Sequence, residues 1–502
     1  MQIKTSARTS PRRRVFIGTS LVGALVLAAC GGGGSSDSII GGGATSPTGD
    51  SGPQTTLAAD LSSLPPCDVT ALDSTTGTVN ITFWHGMNGD LEDALTTLTD
   101  QYNSSQTKVK VSLENQGGYE QTLDKYLQSG QGSRPDVVQA PEYAVQVLRD
   151  TDSNVPLEAC IRAAEFDTSD FLPKALKQYV TEGVQWSMPF NVSNPVLYFN
   201  KKMFAEAGLD PNTPPVNMAQ VREFSQKIVD SGVASFGLSL DTGADSGGGW
   251  FLEQWFAKLG EFYSDNDNGR TAPSTKVFFD GQTGVDLLTE LQALVTDGLA
   301  YNVGDNASGQ DALLKLADPD KPAAMSLATS AALGTVLTTV QGGLIPGITV
   351  EDIGVGPMPA PGDADAPGAI VGGASLWIVN QDDPVRTAAA WDYISFLVEE
   401  QSQSTWAATT GYIPVRSTAL ELDPIAARYV EDPRFKVAYD QLLESADDPA
   451  NVGAVLGPQR EIRTLTARAI AAVLQGADVV ETLKEAATRA NSLRADYIAR
   501  NR

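Results

Sequence analysis

Histidine is almost missing from this sequence, His85 being the only one. A cluster of imidazole metal ligands is thereby excluded, and any Ser-His-Asp triad would hang on that one side chain. Cysteine is nearly as scarce: there are three in 502 residues, with no Cys-x-x-Cys pair among them. Positive charge is short as well, with 35 Lys and Arg against 61 Asp and Glu, a net of −26. Such a chain repels phosphate backbones, whose capture rests on Lys and Arg, so nucleic acid is not an expected partner. Phosphate-loop and dinucleotide-loop patterns are absent. Ser246-Gly247-Gly248-Gly249 is glycine-rich but reads as lacking the strand-then-helix frame such loops need. Counting does not exclude glycosidase-like carboxylate pairs, since 61 acids supply chance pairs. No catalytic constellation stands out, so neither enzyme activity nor a cofactor is expected, and His85 at a strand end suits contact rather than catalysis.

Long hydrophobic runs are missing too. The most apolar stretch, Val15 to Ala29, covers about fifteen residues, short of the ~20 an α-helix needs to cross a bilayer. Lys4, Arg8 and Arg12 to Arg14 precede it, so residues 1–29 read as a signal peptide. Its end, Leu27-Ala28-Ala29-Cys30, resembles the bacterial lipobox, which implies a lipidated Cys30 and attachment to the outer face of the cell membrane. Arg13-Arg14-Val15-Phe16-Ile17 looks like a twin-arginine signal, and the general secretory route fits the same residues. Residues 30–63 are rich in Gly, Ser, Thr and Pro and read as a flexible tether. With an unmodified Cys30 they would be a plain flexible terminus. Cys67 and Cys160 remain as an even pair in loop-like sequence, in a compartment that permits disulfides. A bridge is expected between them, with unlinked thiols as the alternative. Without residues 1–29, which hold five basic and no acidic side chains, 30 Lys and Arg face 61 acids, a net of −31.

The roughly 440 residues after the tether exceed one ordinary core, so two domains are expected. Val79 to Trp84 alternates like a strand, and Leu91, Ala94, Leu95, Leu98 and Tyr102 follow at helical spacing. A second strand over Val109 to Leu113, a helix over Tyr119 to Gln128 and a third strand over Asp136 to Ala140 continue the alternation. That order predicts an α/β domain with a largely parallel sheet. Ligand groups in such sheets gather at the carboxyl ends of strands, here Trp84-His85-Gly86-Met87 and Ala140-Pro141-Glu142-Tyr143. From Asn200 onward helices dominate the pattern, broken by Pro211 to Pro215 and by the Gly/Asp-rich Asp241 to Gly249. A late strand over Ala374 to Val379 precedes a helix over Arg386 to Glu399. The final helix carries Val480, Leu483, Ala487, Ala490, Leu493 and Tyr497 on one face.

Five separate segments, in order, carry a wider likeness: Ile81-Thr82-Phe83-Trp84-His85-Gly86-Met87, Gly117 to Leu123, Pro189 to Lys201, Gly372 to Trp377, and Thr410-Gly411-Tyr412-Ile413-Pro414-Val415. With them the chain, from about Val79 to Tyr497, resembles the extracellular solute-binding proteins of ABC importers, most closely those that bind sn-glycerol-3-phosphate and glycerophosphodiesters. The resemblance implies a two-lobed α/β fold of the periplasmic-binding-protein kind, each lobe a mixed sheet flanked by helices. Residues 64–192 with 374–412 would form lobe 1, and 193–373 with 413–502 lobe 2. Crossings would fall near Asn191 to Pro195, Gly372 to Ala374 and Tyr412 to Arg416. It further implies a monomer that closes on a small polar solute and delivers it to permease subunits. A neutral sugar or oligosaccharide is the second reading of the ligand, and an anchored hydrolase a third reading of the chain.

Carried over motif by motif, the resemblance makes Tyr119 and Tyr412 phenol donors, Glu142 an acceptor for glycerol hydroxyls, and Ser193 and Ser330 further hydroxyl contacts. Gly373 would offer backbone N–H, and Arg463 the cationic partner. A guanidinium meets two phosphate oxygens at once, and an aromatic face holds glycerol carbons or a choline-like cation. Trp250, and with less weight Trp255, follow the Gly-rich run and suit an exposed aromatic lip. Each residue has a duller alternative: interface tyrosines for Tyr119 and Tyr412, a helix-starting acid for Glu142, pairing with one of the many carboxylates on a helix for Arg463, and packing for Trp250 and Trp84. Two positions depart from the family's pattern. Val455 replaces a basic residue before the Leu456-Gly457 turn, and Val216-Asn217-Met218 stands where an aromatic follows the prolines.

Overall fold

The computed structural model describes residues 64–243, 248–304 and 311–501. The signal segment, Cys30 and the tether fall outside them. Apolar alternation makes Val79–His85 a strand (β1), with Ile81 and Phe83 buried. It is followed by β2 (Val109–Asn115), β3 (Val137–Pro141), β4 (Asn154–Val155), the two-stranded β5 (Val180–Thr181) and β6 (Val184–Gln185), and β7 (Met188–Ser193). A second set comprises β8 (Pro195–Asn200), β9 (Phe236–Asp241), β10 (Ala300–Gly304), β11 (Ala323–Thr329) and β12 (Ile353–Pro357), and β13 (Gly372–Val379) comes last.

The first sheet runs β2-β1-β3-β13-β4, with β7 also paired to β13. β1 lies parallel to β2 in unbroken register from Val79 opposite Val109 to His85 opposite Asn115, and parallel to β3. β13 is antiparallel to β3, β4 and β7, so the sheet is mixed, not largely parallel as the early alternation suggested. The second sheet, β10-β9-β11-β8-β12, is mixed as well: β9 is parallel to β10 and β11, while β8 is antiparallel to β11 and β12. Four of its five strands, all but β8, lie where the sequence read as mainly helical. β11, Ala-Ala-Met-Ser-Leu-Ala-Thr, is buried on both faces and so has no polar-apolar alternation to betray it.

The chain leaves the first sheet for the second at Asn194, between β7 and β8, and returns over 358–371. Residues 411–416 then run back along the first sheet's side: Ile413 N–H donates to Val192 O at 2.7 Å, and Leu172 N–H to Val415 O at 2.9 Å. Cys67 and Cys160 are joined in a disulfide, Cα atoms 5.0 Å apart and 93 residues apart in sequence. A loop of that length removes unfolded-chain entropy equivalent to about 4–5 kcal/mol. Cys160 lies inside the helix Leu157–Ala163, not in a loop as its neighbours suggested.

Three further expectations need correction. The Gly-rich stretch does have a strand, β9, before it and a helix, Gly248–Lys258, after it, although no Gly-Lys-Ser/Thr follows. The helix after β13 spans Pro384–Leu397, earlier than expected because Asp383 caps it, accepting from Val385 and Arg386 N–H. The last helix, Val479–Arg500, buries Leu483, Ala486, Ala487, Ala490, Arg494 and Tyr497 but leaves Val480 54 % exposed and Leu493 half-buried.

Candidate ligand-binding cleft

Tyr119 opens the helix Tyr119–Gln128, whose start is pressed against the end of β1. A Cβ on Gly86 would lie 2.5 Å from the carbonyl carbon of Gly118, so only glycine permits this approach. The Tyr119 hydroxyl accepts from Asn191 Nδ2 at 2.6 Å and lies 3.0 Å from the Tyr412 hydroxyl. The Tyr412 ring is held by stacking on Trp406 (5.5 Å, 16°), which in turn stacks on Phe190 (4.9 Å, 29°). Burial pushes both phenols above their ordinary range, so they stay protonated at neutral pH.

Beside them, Glu142 begins a short turn directly after β3. Arg463, from the helix Gln459–Leu474, donates through Nη1 to Glu142 Oε1 at 2.7 Å. It also grips Glu253, of the helix Gly248–Lys258, through Nε and Nη2, each at 2.9 Å. The two helices approach because Gly249 has no side chain; a Cβ there would lie 2.6 Å from Arg463 Cα. All three charged groups are buried. Burial raises the Glu142 carboxyl above its ordinary value, and Arg463 only partly opposes this. Burial also disfavours the charge on Arg463, but Glu253 and Glu142 more than offset it and hold the guanidinium above its usual range. The guanidinium uses three of its five N–H groups in these bonds, which leaves two for another oxygen. Arg463 also lies over the Tyr143 ring, 5.1 Å from its centre.

The remaining predicted residues adjoin this patch. Trp250 covers Gly372 so closely that a Cβ on the glycine would lie 2.2 Å from the indole Cζ2. Ser193 pairs with Gly372 across β7 and β13, and Gly373 packs on Asn191, at φ +92° with room for no Cβ. Ser330 N–H donates to Asn194 O at 2.9 Å, and its carbonyl lies against Gly411, next to Tyr412. The Ser330 hydroxyl and the Trp250 Nε1 are buried and have no hydrogen-bond partner among the described residues. Tyr119, Glu142, Ser193, Trp250, Ser330, Gly373, Tyr412 and Arg463 thus fall in one connected region between the two sheets.

The tryptophans correct the expectation of an exposed lip. Trp250 is 3 % exposed and Trp255 fully buried, its Nε1 donating to Pro359 O at 3.1 Å. Trp84 belongs to a small core with Leu123, Tyr126 and Trp377, its ring covered by Lys125. His85 is buried, its Nδ1 accepts from Met87 N–H at 3.3 Å, and burial lowers its pKa. Val455, where a basic residue was looked for, is buried and donates its N–H to Asn268 O at 2.8 Å. Sequence reasoning missed Asn191, Gln139, Glu253 and Arg460. Arg460 sits one turn before Arg463 and spans to the opposite helix, donating to Glu120 at 2.8 Å and Asp124 at 2.7 Å.

Comparison with known proteins places this geometry in a family. Residues 97–437 match the family model of bacterial extracellular solute-binding proteins. The chain is 29% identical over 426 residues to the sn-glycerol-3-phosphate-binding periplasmic protein UgpB of Pectobacterium atrosepticum, covering 82% of this chain and 91% of that one. It is 28% identical over 425 residues to the protein of the same name from Salmonella typhimurium, covering 82% and 92%. Among solved structures it superposes on UgpB of Mycobacterium tuberculosis in complex with glycerophosphocholine, with a TM-score of 0.69 and 22% identity over 84% of this chain and 100% of that one. The cyclic alpha-maltosyl-1,6-maltose binding protein of Arthrobacter globiformis matches with a TM-score of 0.67 and 21% identity over the same shares. The two structural likenesses establish the fold. The chain belongs to the bacterial extracellular solute-binding proteins and is the exported, two-lobed substrate-binding component of an ABC import system.

Proposed function

We propose that the cleft captures glycerol-3-phosphate or a glycerophosphodiester such as glycerophosphocholine and presents it to the permease. One observation carries this reading: donors from widely separated segments converge on one buried patch, namely the Tyr119–Tyr412 pair, the Ser330 hydroxyl, the Trp250 indole N–H and two N–H groups of Arg463. A phosphodiester is all acceptors at its centre, and such a set of donors matches it. Trp250 offers an apolar wall for glycerol carbons, or a cation–π face for a choline-like end. The curated relatives are named for sn-glycerol-3-phosphate, and the M. tuberculosis structure holds glycerophosphocholine.

A neutral oligosaccharide is the second reading. Two carboxylates on one guanidinium leave the patch with a formal charge of −1, and Val455 supplies no further cation. Thermal-shift measurements with glycerophosphocholine, glycerol-3-phosphate, maltose and trehalose separate the two readings. A rise in melting temperature with the phosphodiester and none with the sugars is expected, and the reverse pattern overturns the assignment. Recovery of intact ligand after hours of incubation is expected of a binding protein, whereas turnover would identify an anchored hydrolase. Leu27 to Cys30 supports lipid attachment to the outer face of the membrane. Cys30→Ser should move the protein from the membrane to the soluble exported fraction, and a membrane-bound variant would contradict the anchor.

A further inference from the structure

Behind the tyrosine pair lies a line of hydrogen bonds whose direction is fixed at its first member. Gly86 N–H donates to Gln139 Oε1 at 2.9 Å. Gln139 Nε2 donates to Asn191 Oδ1 at 2.8 Å, and Asn191 Nδ2 to the Tyr119 oxygen at 2.6 Å. A backbone N–H can only donate, so Gln139 must turn its oxygen to Gly86 and its NH₂ to Asn191. Asn191 must then accept from Gln139 and turn its own NH₂ to Tyr119. Both amides are fully buried, which leaves water no access to substitute for a partner.

The consequence for the pair is a matter of counting hydrogens. Asn191 occupies a lone pair of the Tyr119 oxygen and consumes neither phenolic hydrogen. The two phenols, 3.0 Å apart, use one hydrogen between them. One O–H remains for a partner outside the line, whichever tyrosine carries it.

We propose that Gln139 and Asn191 are positioning residues that set the Tyr119–Tyr412 pair as a net hydrogen-bond donor, so that the cleft favours an acceptor oxygen, such as a phosphate or ether oxygen, over a group that can only donate. The inference rests on the reading that this pair faces the ligand. It goes beyond that reading by assigning the selectivity to two side chains outside the predicted ligand contacts.

Two near-isosteric substitutions reverse the polarity. In Asn191→Asp the carboxylate only accepts, takes the Tyr119 hydrogen and leaves the pair with none to offer. In Gln139→Glu the carboxylate accepts from Gly86 and from Asn191, whose amide then turns over and offers Tyr119 its oxygen. Calorimetric titration with glycerophosphocholine at about pH 8, where the new carboxylates are ionised, should show each variant binding about tenfold more weakly or worse. In a Tyr119→Phe background neither substitution should weaken binding further, because the phenol that Asn191 bonds at 2.6 Å is gone. A merely structural or electrostatic effect would persist there undiminished, and that result, or unchanged affinity in the single variants at unchanged melting temperature, overturns the proposal. A second readout needs no ligand. With tyrosine labelled at ¹³Cζ, both substitutions should shift the resonance that disappears in Tyr119→Phe, and in the same direction. A resonance unmoved by Gln139→Glu contradicts the relay. Absence of any wild-type binding to glycerophosphocholine would sink the phosphodiester reading while the resonance shifts still decide the relay.

Discussion

Arg463 is held by two carboxylates where one would neutralise it, and the two are not equal. Glu253 takes two of the bonds and Glu142 one. Removing the arginine would strand two buried negative charges, a change of the kind that costs about 3–5 kcal/mol. Removing the surplus carboxylate should have the opposite sign. The folded-state pKa of Glu142 lies above its unfolded value, chiefly because of burial. Below the unfolded value both states are protonated and nothing is lost. As pH rises from there, the unfolded chain ionises first and the fold loses stability, until the loss is complete above the folded pKa. Glu142→Gln abolishes that loss. Its melting temperature should exceed that of the wild type at about pH 7 and converge with it near about pH 4. A wild type that is more stable than the variant at neutral pH contradicts this assignment.

At the scale of elements, legibility followed exposure to one-sided burial. The helix Tyr119–Gln128 spans the residues predicted for it, with one face to the core and one toward solvent, and β1 differs only by one residue at its end, because its first half alternates between buried and partly exposed side chains. β11 did not announce itself, since a strand covered on both faces loses the alternation that marks a strand. The helix Gly248–Lys258 failed in the same way. Glycines before Trp250 suggested an exposed loop, yet every residue of that helix is buried, so no aromatic lip can form there. In the last helix Arg494 turns inward where an apolar residue was expected, and Val480 turns out. The hydroxyl and glycine residues of the cleft were legible only through the motifs around them. Gln139, Asn191 and Glu253 were not, because an amide or carboxylate takes its role from its partner. Arg463 and Glu142 meet across 321 residues of sequence, a distance no local pattern encodes.

For the whole molecule, the two halves touch on more than the candidate cleft. Arg460 reaches Glu120 and Asp124, Tyr497 donates to Asp150 at 2.8 Å, and Arg270 donates to the carbonyls of Lys177 at 2.9 Å and Val180 at 3.0 Å. These contacts tie the two halves together outside the candidate cleft. Partly exposed pairs such as Arg460–Glu120 contribute on the order of 1 kcal/mol or less each, too little to hold two lobes shut against their freedom to part. A ligand at a hundredfold excess over its Kd adds about 2.7 kcal/mol, enough to shift the population decisively. On the proposed reading, a solute would tip such weak rims toward closure around a donor-rich centre. The most direct measurement is calorimetric titration of glycerophosphocholine into the wild type and into the Tyr119→Phe/Tyr412→Phe double variant. One site per chain in the wild type, and its loss in a double variant that melts at an unchanged temperature, is the result predicted. No heat with the wild type, or full affinity surviving without both hydroxyls, would contradict the account.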